Sequence, residues 1–328
     1  MGGSYKRRRA VPRRSLPRWG QRSGVSRKRG GPTLTALVTD VPVAARAARP
    51  ASSRASLLRR LLRRRAAAFG LVVVVAFIAM AVFAPLFAPY DPIATSFATV
   101  RKAPNAAHWF GTDEIGRDVL SRVIFGARAS LLAGVVSVLI SLSIGVPAGL
   151  LAGYAGGTVD MLISRVTDAL LACPFLILAI ALAAFLGPSL GNAMIAIGIS
   201  ATPVFVRLTR GTTLAIKAEE FVLAARAIGN PPWRIALRHV LPNIVPPLLV
   251  QATLAIAAAV IAEASLSFLG LGQQPPQPSW GSMLNTAKNY IDNAPWMAIW
   301  PGLSIFLLVL SFNLVGDGLR DALDPRHA

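Results

Sequence analysis

Long uncharged runs alternate with short polar segments from residue 66 onward. Runs long enough to cross about 30 Å of hydrocarbon occupy 66–84, 129–155, 169–206, 244–262 and 294–316. The third is too long for one crossing. Gly187-Pro188 interrupts it and Gly191 follows, which predicts a tight turn between two helices. An all-α integral membrane protein with six transmembrane helices is therefore expected. Between the fourth and fifth crossings lies a polar island, 207–243, carrying six Lys/Arg. Its pattern predicts helix, turn, helix. The first segment spans 213–228 and ends at Gly229, which suits a left-handed C-terminal position. Asn230 is placed to cap a second segment, with Pro231 at its first position, where a missing N–H costs nothing. That segment runs through Trp233 and Leu237 and stops near Pro242.

Composition agrees with this picture, at 54% hydrophobic and 15% charged residues. Charge adds an orientation. An even number of crossings puts both termini and the island on one side, and that side holds 28 of the 34 Lys/Arg. The positive-inside rule then predicts cytoplasmic termini and a cytoplasmic island, decided by the basic cluster 54–65 against the first crossing. The net charge of +20 comes mostly from residues 1–65, which hold 19 basic residues and one acid, Asp40. That segment is expected to be a disordered cytoplasmic tail that assists topology, with no nucleic-acid partner. It does not read as a cleavable signal peptide, because its first apolar run is a full crossing without a small-residue cleavage site. The domain reading is a tail over 1–65, a six-helix body over 66–320 and a short cytoplasmic tail over 321–328.

Several chemistries are excluded. A single cysteine, Cys173, and three scattered histidines cannot build a disulfide or a metal cluster. None of the five lysines follows a glycine, so the Gly-Lys of a phosphate loop is absent. Residues 187–191 match G-x-S-x-G, yet a nucleophile elbow needs a strand before it and a histidine base in reach. Here the motif falls in a turn between membrane helices. His239 is expected on the opposite face, and His108 has no evident orienting acid. No catalytic residue is expected.

Within the island, Ala224, Ala225, Gly229, Leu241 and Pro242 keep the spacing of E-A-A, three residues, G, nine residues, I-x-L-P. This resembles the cytoplasmic loop shared by permease subunits of ABC importers. Leu223 replaces the pattern's glutamate and His239 its isoleucine, with Glu219 and Glu220 one turn earlier. HWFGTDEIGRDVLSRVIFGARASL (108–131), ASLSFLGLGQQPPQPSWGSML (264–284) and FNLVGDGLRDALDPR (312–326) resemble the peptide branch of that family, where such departures are usual. The long FAPYDP…HWFGTDEIGRD segment is similar to the C-type partner of its two permeases.

The resemblance implies a type I ABC importer permease, one half of a heterodimeric pore in a bacterial cytoplasmic membrane. It implies a second permease subunit, two ATP-binding subunits and an extracytoplasmic solute-binding protein as partners. The chain itself would hold no cofactor, ATP being bound by the partner subunits. The cargo implied is dipeptides or oligopeptides, with glutathione or nickel complexes in close relatives. The elbow residues Glu220, Ala224, Ala225, Gly229, Trp233, Leu241 and Pro242 would dock on an ATP-binding subunit. Trp233, Ile235 and Leu237 are expected on its presented face.

Other residues are read directly. Arg165 and Asp168, three apart on a helix, are expected to pair as a structural clasp. Glu263 lies about 30 Å along the fifth crossing, where it either lines the mouth of the translocation path or packs beneath the following loop. Gly145, Gly149 and Gly153 form a small-residue stripe for a close helix neighbour, inside this subunit or in the partner. Trp296 and Trp300 are expected in an interfacial aromatic belt. An ion-driven secondary transporter would be expected to show internal repeats and broken helices at mid-membrane; neither stands out, and the island would lack a purpose.

Overall fold

The computed structural model describes residues 61–323. The N-terminal tail expected over 1–65 lies almost wholly outside the described residues, as does 324–328. The described elements are helices: α1 Arg65–Val82, α2 Ala84–Phe87, α3 Val119–Ala155, α4 Gly157–Leu171, α5 Phe175–Leu186, α6 Leu190–Lys217, α7 Glu220–Ala227, α8 Pro232–Ile235, α9 Leu241–Phe268, α10 Trp280–Ala287 and α11 Trp296–Leu323. Five crossings are continuous, with α8 and α9 forming one of them, and a bent helix pair supplies the sixth. The boundary expected at 320 falls inside α11, which runs on to Leu323.

The third crossing differs from expectation. It is α4 and α5, meeting at 89°. Pro174, at the break, cannot continue the ladder of α4 and keeps Cys173 out of helical geometry. The 12 residues of α5 rise only about 18 Å. Arg165 and Asp168 both sit within α4. A broken crossing, expected of an ion-driven transporter, is thus present after all. The predicted turn at Gly187 forms, with φ +91°. Ser189 Oγ accepts from Asn192 N–H at 3.0 Å and starts α6 as its cap, an ordinary structural use of the serine in G-x-S-x-G.

The glycine stripe meets a neighbour inside this subunit, α6. A Cβ at Gly145 would lie 2.7 Å from Phe205 Cβ, one at Gly149 2.5 Å from the Val206 carbonyl oxygen, and one at Gly153 2.8 Å from Thr213 Cβ. The two backbones run so close that only hydrogen fits between them. Ser141 Oγ reinforces the seam by donating to the Gly198 carbonyl at 2.7 Å. Around it lies one apolar core that includes Val138, Ile197, Phe205, Val240 and Ile244. A second core joins α1, α3, α10 and α11 through Phe77, Val123, Trp280 and Phe312.

Contacts gather the connections at two ends. Arg64 pairs with Asp321, and Lys217 Nζ donates to the Tyr154 carbonyl at 2.6 Å. The start of α1, the α3–α4 corner, the elbow at 218–231 and the end of α11 therefore share one end. The segments 83–118 and 269–295 share the other.

Candidate coupling elbow and outer loop

The elbow begins where α6 stops at Lys217. Glu220 sits in the first turn of α7, where an acid complements the helix dipole. Val222 and Ala225 turn inward, 0% and 5% exposed, and anchor the short helix. Gly229 then adopts φ +81°, and nothing lies within 4 Å of where its Cβ would be. Its requirement is backbone conformation, not space. Asn230 does not cap the second helix as expected. Its N–H and its Nδ2 both donate to the Ala225 carbonyl, at 3.3 and 3.1 Å, closing the end of α7. Pro231 stands at the cap position and Pro232 opens α8.

Pro242 does not stop the second segment either. Residues 236–240 form a π-helical turn that passes directly into α9. The wider turn accommodates the missing N–H and the ring of Pro242, and the chain continues as one long helix. The presented surface is likewise revised. Ile235 is 1% exposed and belongs to the core, and Ala225 also faces inward. Phe221, Leu223, Ala224, Ile228, Trp233 and Leu237 face outward. Trp233 is 62% exposed, and the Arg234 guanidinium lies over its ring, 5.4 Å from the centroid, in cation–π contact. Leu241 is half-buried against the core and Pro242 exposed. An open apolar groove of about 770 Å³, walled by Leu150, Tyr154, Trp233 and Leu237, runs beside the elbow.

Ion pairs tie α4 to α6 just before the elbow. The expected Arg165–Asp168 clasp is not made. Asp168 instead receives Arg207 Nη2 at 2.8 Å, because the crossing of α4 over α6 brings that guanidinium to it. Asp160 holds Arg210 through both nitrogens of its fork, one bond being 2.7 Å. Neither partner choice could be found from the sequence, since the paired residues lie 39 and 50 positions apart.

The opposite end is a packed cap. Trp280 is fully buried, and its Nε1 donates to the Val123 carbonyl at 2.9 Å. Glu263 is 0% exposed and accepts from Ser130 Oγ at 3.0 Å and Ser267 Oγ at 2.7 Å. In this subunit its carboxylate is enclosed beneath the loop that follows α9. Trp296 and Trp300 also pack on this cap: Trp296 Nε1 donates to the Thr112 carbonyl at 3.1 Å, and Trp300 stacks on Phe110 at 3.8 Å. His108 does have an orienting acid, with Nδ1 3.0 Å from Asp118 Oδ1. Asp118 Oδ2 accepts from the Ser121 N–H and hydroxyl, each at 2.8 Å, so the carboxylate caps α3.

Asp113 organises the loop before α3. It accepts from the Arg117 N–H at 2.9 Å and from Arg117 Nε at 2.6 Å. Burial, and next the Asp113 carboxylate, push the neighbouring Glu114 carboxyl above its ordinary value of 4.5. A carboxyl raised in the folded state favours folding at low pH, and that contribution is lost as pH rises from about 4.5 through the folded value. Glu114→Gln should therefore melt above the wild type at neutral pH and lose the advantage toward pH ~4. Thermal unfolding in detergent at both pH values checks this; a lower melting point for the variant at neutral pH contradicts it.

Comparison with known proteins places this geometry. Residues 145–328 match the family described as binding-protein-dependent transport system inner membrane component. Residues 54–104 match the N-terminal transmembrane domain of oligopeptide transport permease C. The chain is 47% identical over 268 residues to the dipeptide transport system permease protein DppC of Alkalihalophilus pseudofirmus, covering 82% of this chain and 88% of that protein. It is 46% identical over 269 residues to the glutathione transport system permease protein GsiD of Pectobacterium atrosepticum, covering 82% and 89%. The probable D,D-dipeptide transport system permease protein DdpC of Escherichia coli is 46% identical over 255 residues, covering 78% and 86%. Among solved structures, an inward-facing MetNI methionine ABC transporter chain shares the fold, with TM-score 0.52 and 22% identity over 62% of this chain and 98% of that one. The chain belongs to the family of binding-protein-dependent transport system inner membrane components, as a C-type permease subunit of an ABC importer.

Proposed function

We propose that this chain is one half of a heterodimeric pore for di- and oligopeptide uptake, driven by ATP hydrolysed on separate subunits. The observation that carries the cargo is the 47% identity to a dipeptide permease across four-fifths of the chain. The elbow end faces the cytoplasm with both termini, in line with the basic residues gathered there. Its exposed Phe221, Ile228, Trp233 and Leu237 dock on an ATP-binding subunit, and the Asp160–Arg210 and Asp168–Arg207 pairs carry its movement into α4. The cap formed by 83–118 and 269–295 receives the solute-binding protein. The chain performs no chemistry of its own.

Glutathione is a second cargo with a specific observation behind it, the 46% identity to a glutathione permease. Proteoliposomes holding both permeases, the ATP-binding subunits and the solute-binding protein should accumulate labelled dipeptide only with ATP. Uptake of glutathione and not dipeptide would move the cargo to the second reading. Uptake abolished by an uncoupler but indifferent to ATP would replace both with an ion-driven mechanism.

A further inference from the structure

The break between α4 and α5 opens on a cavity of about 290 Å³ that the function described so far does not use. Cys173 and Pro174 of the break, Ser200 and Phe205 of α6, and Gln251 and Ala258 of α9 line it. Its lining contains no Asp, Glu, Lys or Arg. Two polar groups stand out against this apolar wall. Ser200 is 5% exposed, and its hydroxyl has no hydrogen-bond partner among the described residues. Thr209 and Thr213 of the same helix are likewise buried without a partner among the described residues, but of the three only Ser200 lines this cavity; Thr202 turns back to the Gly198 carbonyl at 2.9 Å. An unpaired hydroxyl in an apolar setting is costly, so one that is retained is available to something that arrives. Gln251 lies about 15 Å from the start of α9, near mid-membrane. It is partly exposed and borders the cavity, and polar groups at that depth tend to mark a path.

The cavity has a neighbour that shares part of its wall. A second space of about 510 Å³ shares Gln251 and Leu254 with it and is bordered by Asp317 and Arg320 near the end of α11. The two together follow α9 from mid-membrane toward the elbow end.

We propose that Gln251 and Ser200 form a transit site for cargo in this half of the pore, an uncharged waist that takes the amide of a short peptide and leads to a charged rim at Asp317 and Arg320. The assignment rests on the peptide reading above. The Gln251 side chain supplies both a donor and an acceptor, matching the N–H and C=O of one peptide group. The rim offers one charge of each sign to the termini of a zwitterion. The volume sits at the low end of the roughly 300–1,000 Å³ of small-molecule sites, which suits a dipeptide better than a long chain. A waist without charge holds its cargo weakly, and passage requires that the cargo also leave.

The sole cysteine of the chain stands in the cavity wall and makes the test direct. Proteoliposomes of the full complex are treated with N-ethylmaleimide, and dipeptide and glutathione uptake are measured with alkylation of Cys173 followed by mass spectrometry. The wild type should lose uptake at least fivefold as Cys173 becomes alkylated, while a Cys173→Ser complex keeps its own untreated rate. Gln251→Leu should lower uptake at least threefold, and Gln251→Asn should restore part of it. Full alkylation with unchanged uptake would overturn the assignment. So would a Cys173 that stays unreactive in the assembled complex, or equal inhibition of the serine variant. If untreated wild type carries glutathione but no dipeptide, the dipeptide reading falls and the cavity is judged on glutathione alone. If it carries neither, both fall.

Discussion

A Gly149→Val protein should fail to accumulate as a folded subunit in the membrane, dropping at least tenfold against the wild type. The new Cβ would meet the Val206 carbonyl oxygen at 2.5 Å and Thr209 Cβ at 2.6 Å. The first of these is backbone and cannot swing aside as a flexible side-chain tip would. Separating α3 from α6 would also draw apart Ser141 and the Gly198 carbonyl, which now meet at 2.7 Å. Overpacking typically costs about 1–3 kcal/mol, and a displaced helix seam belongs at or above that upper figure. A domain held by only about 5–15 kcal/mol loses much of its margin. Gly211→Ala is the matched control, since nothing lies within 4 Å of its Cβ and alanine favours helix by about 1 kcal/mol. Fluorescence-detected size exclusion of tagged protein reads both. Equal yields for Gly149→Val and wild type would show that the α3–α6 seam is looser than described.

A Trp233→Asp subunit should behave oppositely, inserting and folding normally while ATP-driven uptake falls roughly 30-fold. Trp233 is 62% exposed, so the change opens no cavity in this subunit. Its loss is felt only where another surface covers it. Exposed aromatic residues that anchor interfaces typically contribute about 2 kcal/mol or more, which corresponds to that factor. An aspartate placed there also buries an unpaired charge at the interface. Ile235→Asp is the contrasting variant. That side chain is 1% exposed, so its replacement should lower folded yield rather than uptake per folded subunit. Uptake assayed against folded yield separates the two. Normal uptake by Trp233→Asp would remove the elbow from the coupling path.

The crossings were legible because an uncharged run of about 20 residues has few uses outside a bilayer. The left-handed residue at Gly229 and the turn at Gly187 were legible for a similarly local reason, a backbone conformation that glycine adopts without strain. What escaped was set by neighbours distant in sequence. Charge spacing suggested that Arg165 and Asp168 would pair, but Arg207 reaches Asp168 from another helix. Asp160 and Arg210 carried no local sign of their bond. The bend at Cys173-Pro174 was in principle readable, since proline inside an apolar run restricts the residue before it. Gly187-Pro188, a stronger signal nearby, drew the break to itself. Pro242 misled in the opposite direction. Its helix-breaking character is absorbed by the π turn over 236–240, an adjustment that no residue pattern announces. Ile235 and Ala225 were expected outside because the motif around them faces outward, yet a short helix needs an anchor and they supply it.

The proposed function requires the elbow at 218–231, with Trp233 beside it, to dock on an ATP-binding subunit. The most direct measurement is photo-crosslinking from a benzoylphenylalanine placed at position 233 in the assembled complex. A covalent adduct with an ATP-binding subunit is expected, lost when Gly229→Val redirects the elbow. Adducts with lipid alone, or an ATP-binding adduct that survives Gly229→Val undiminished, would contradict it.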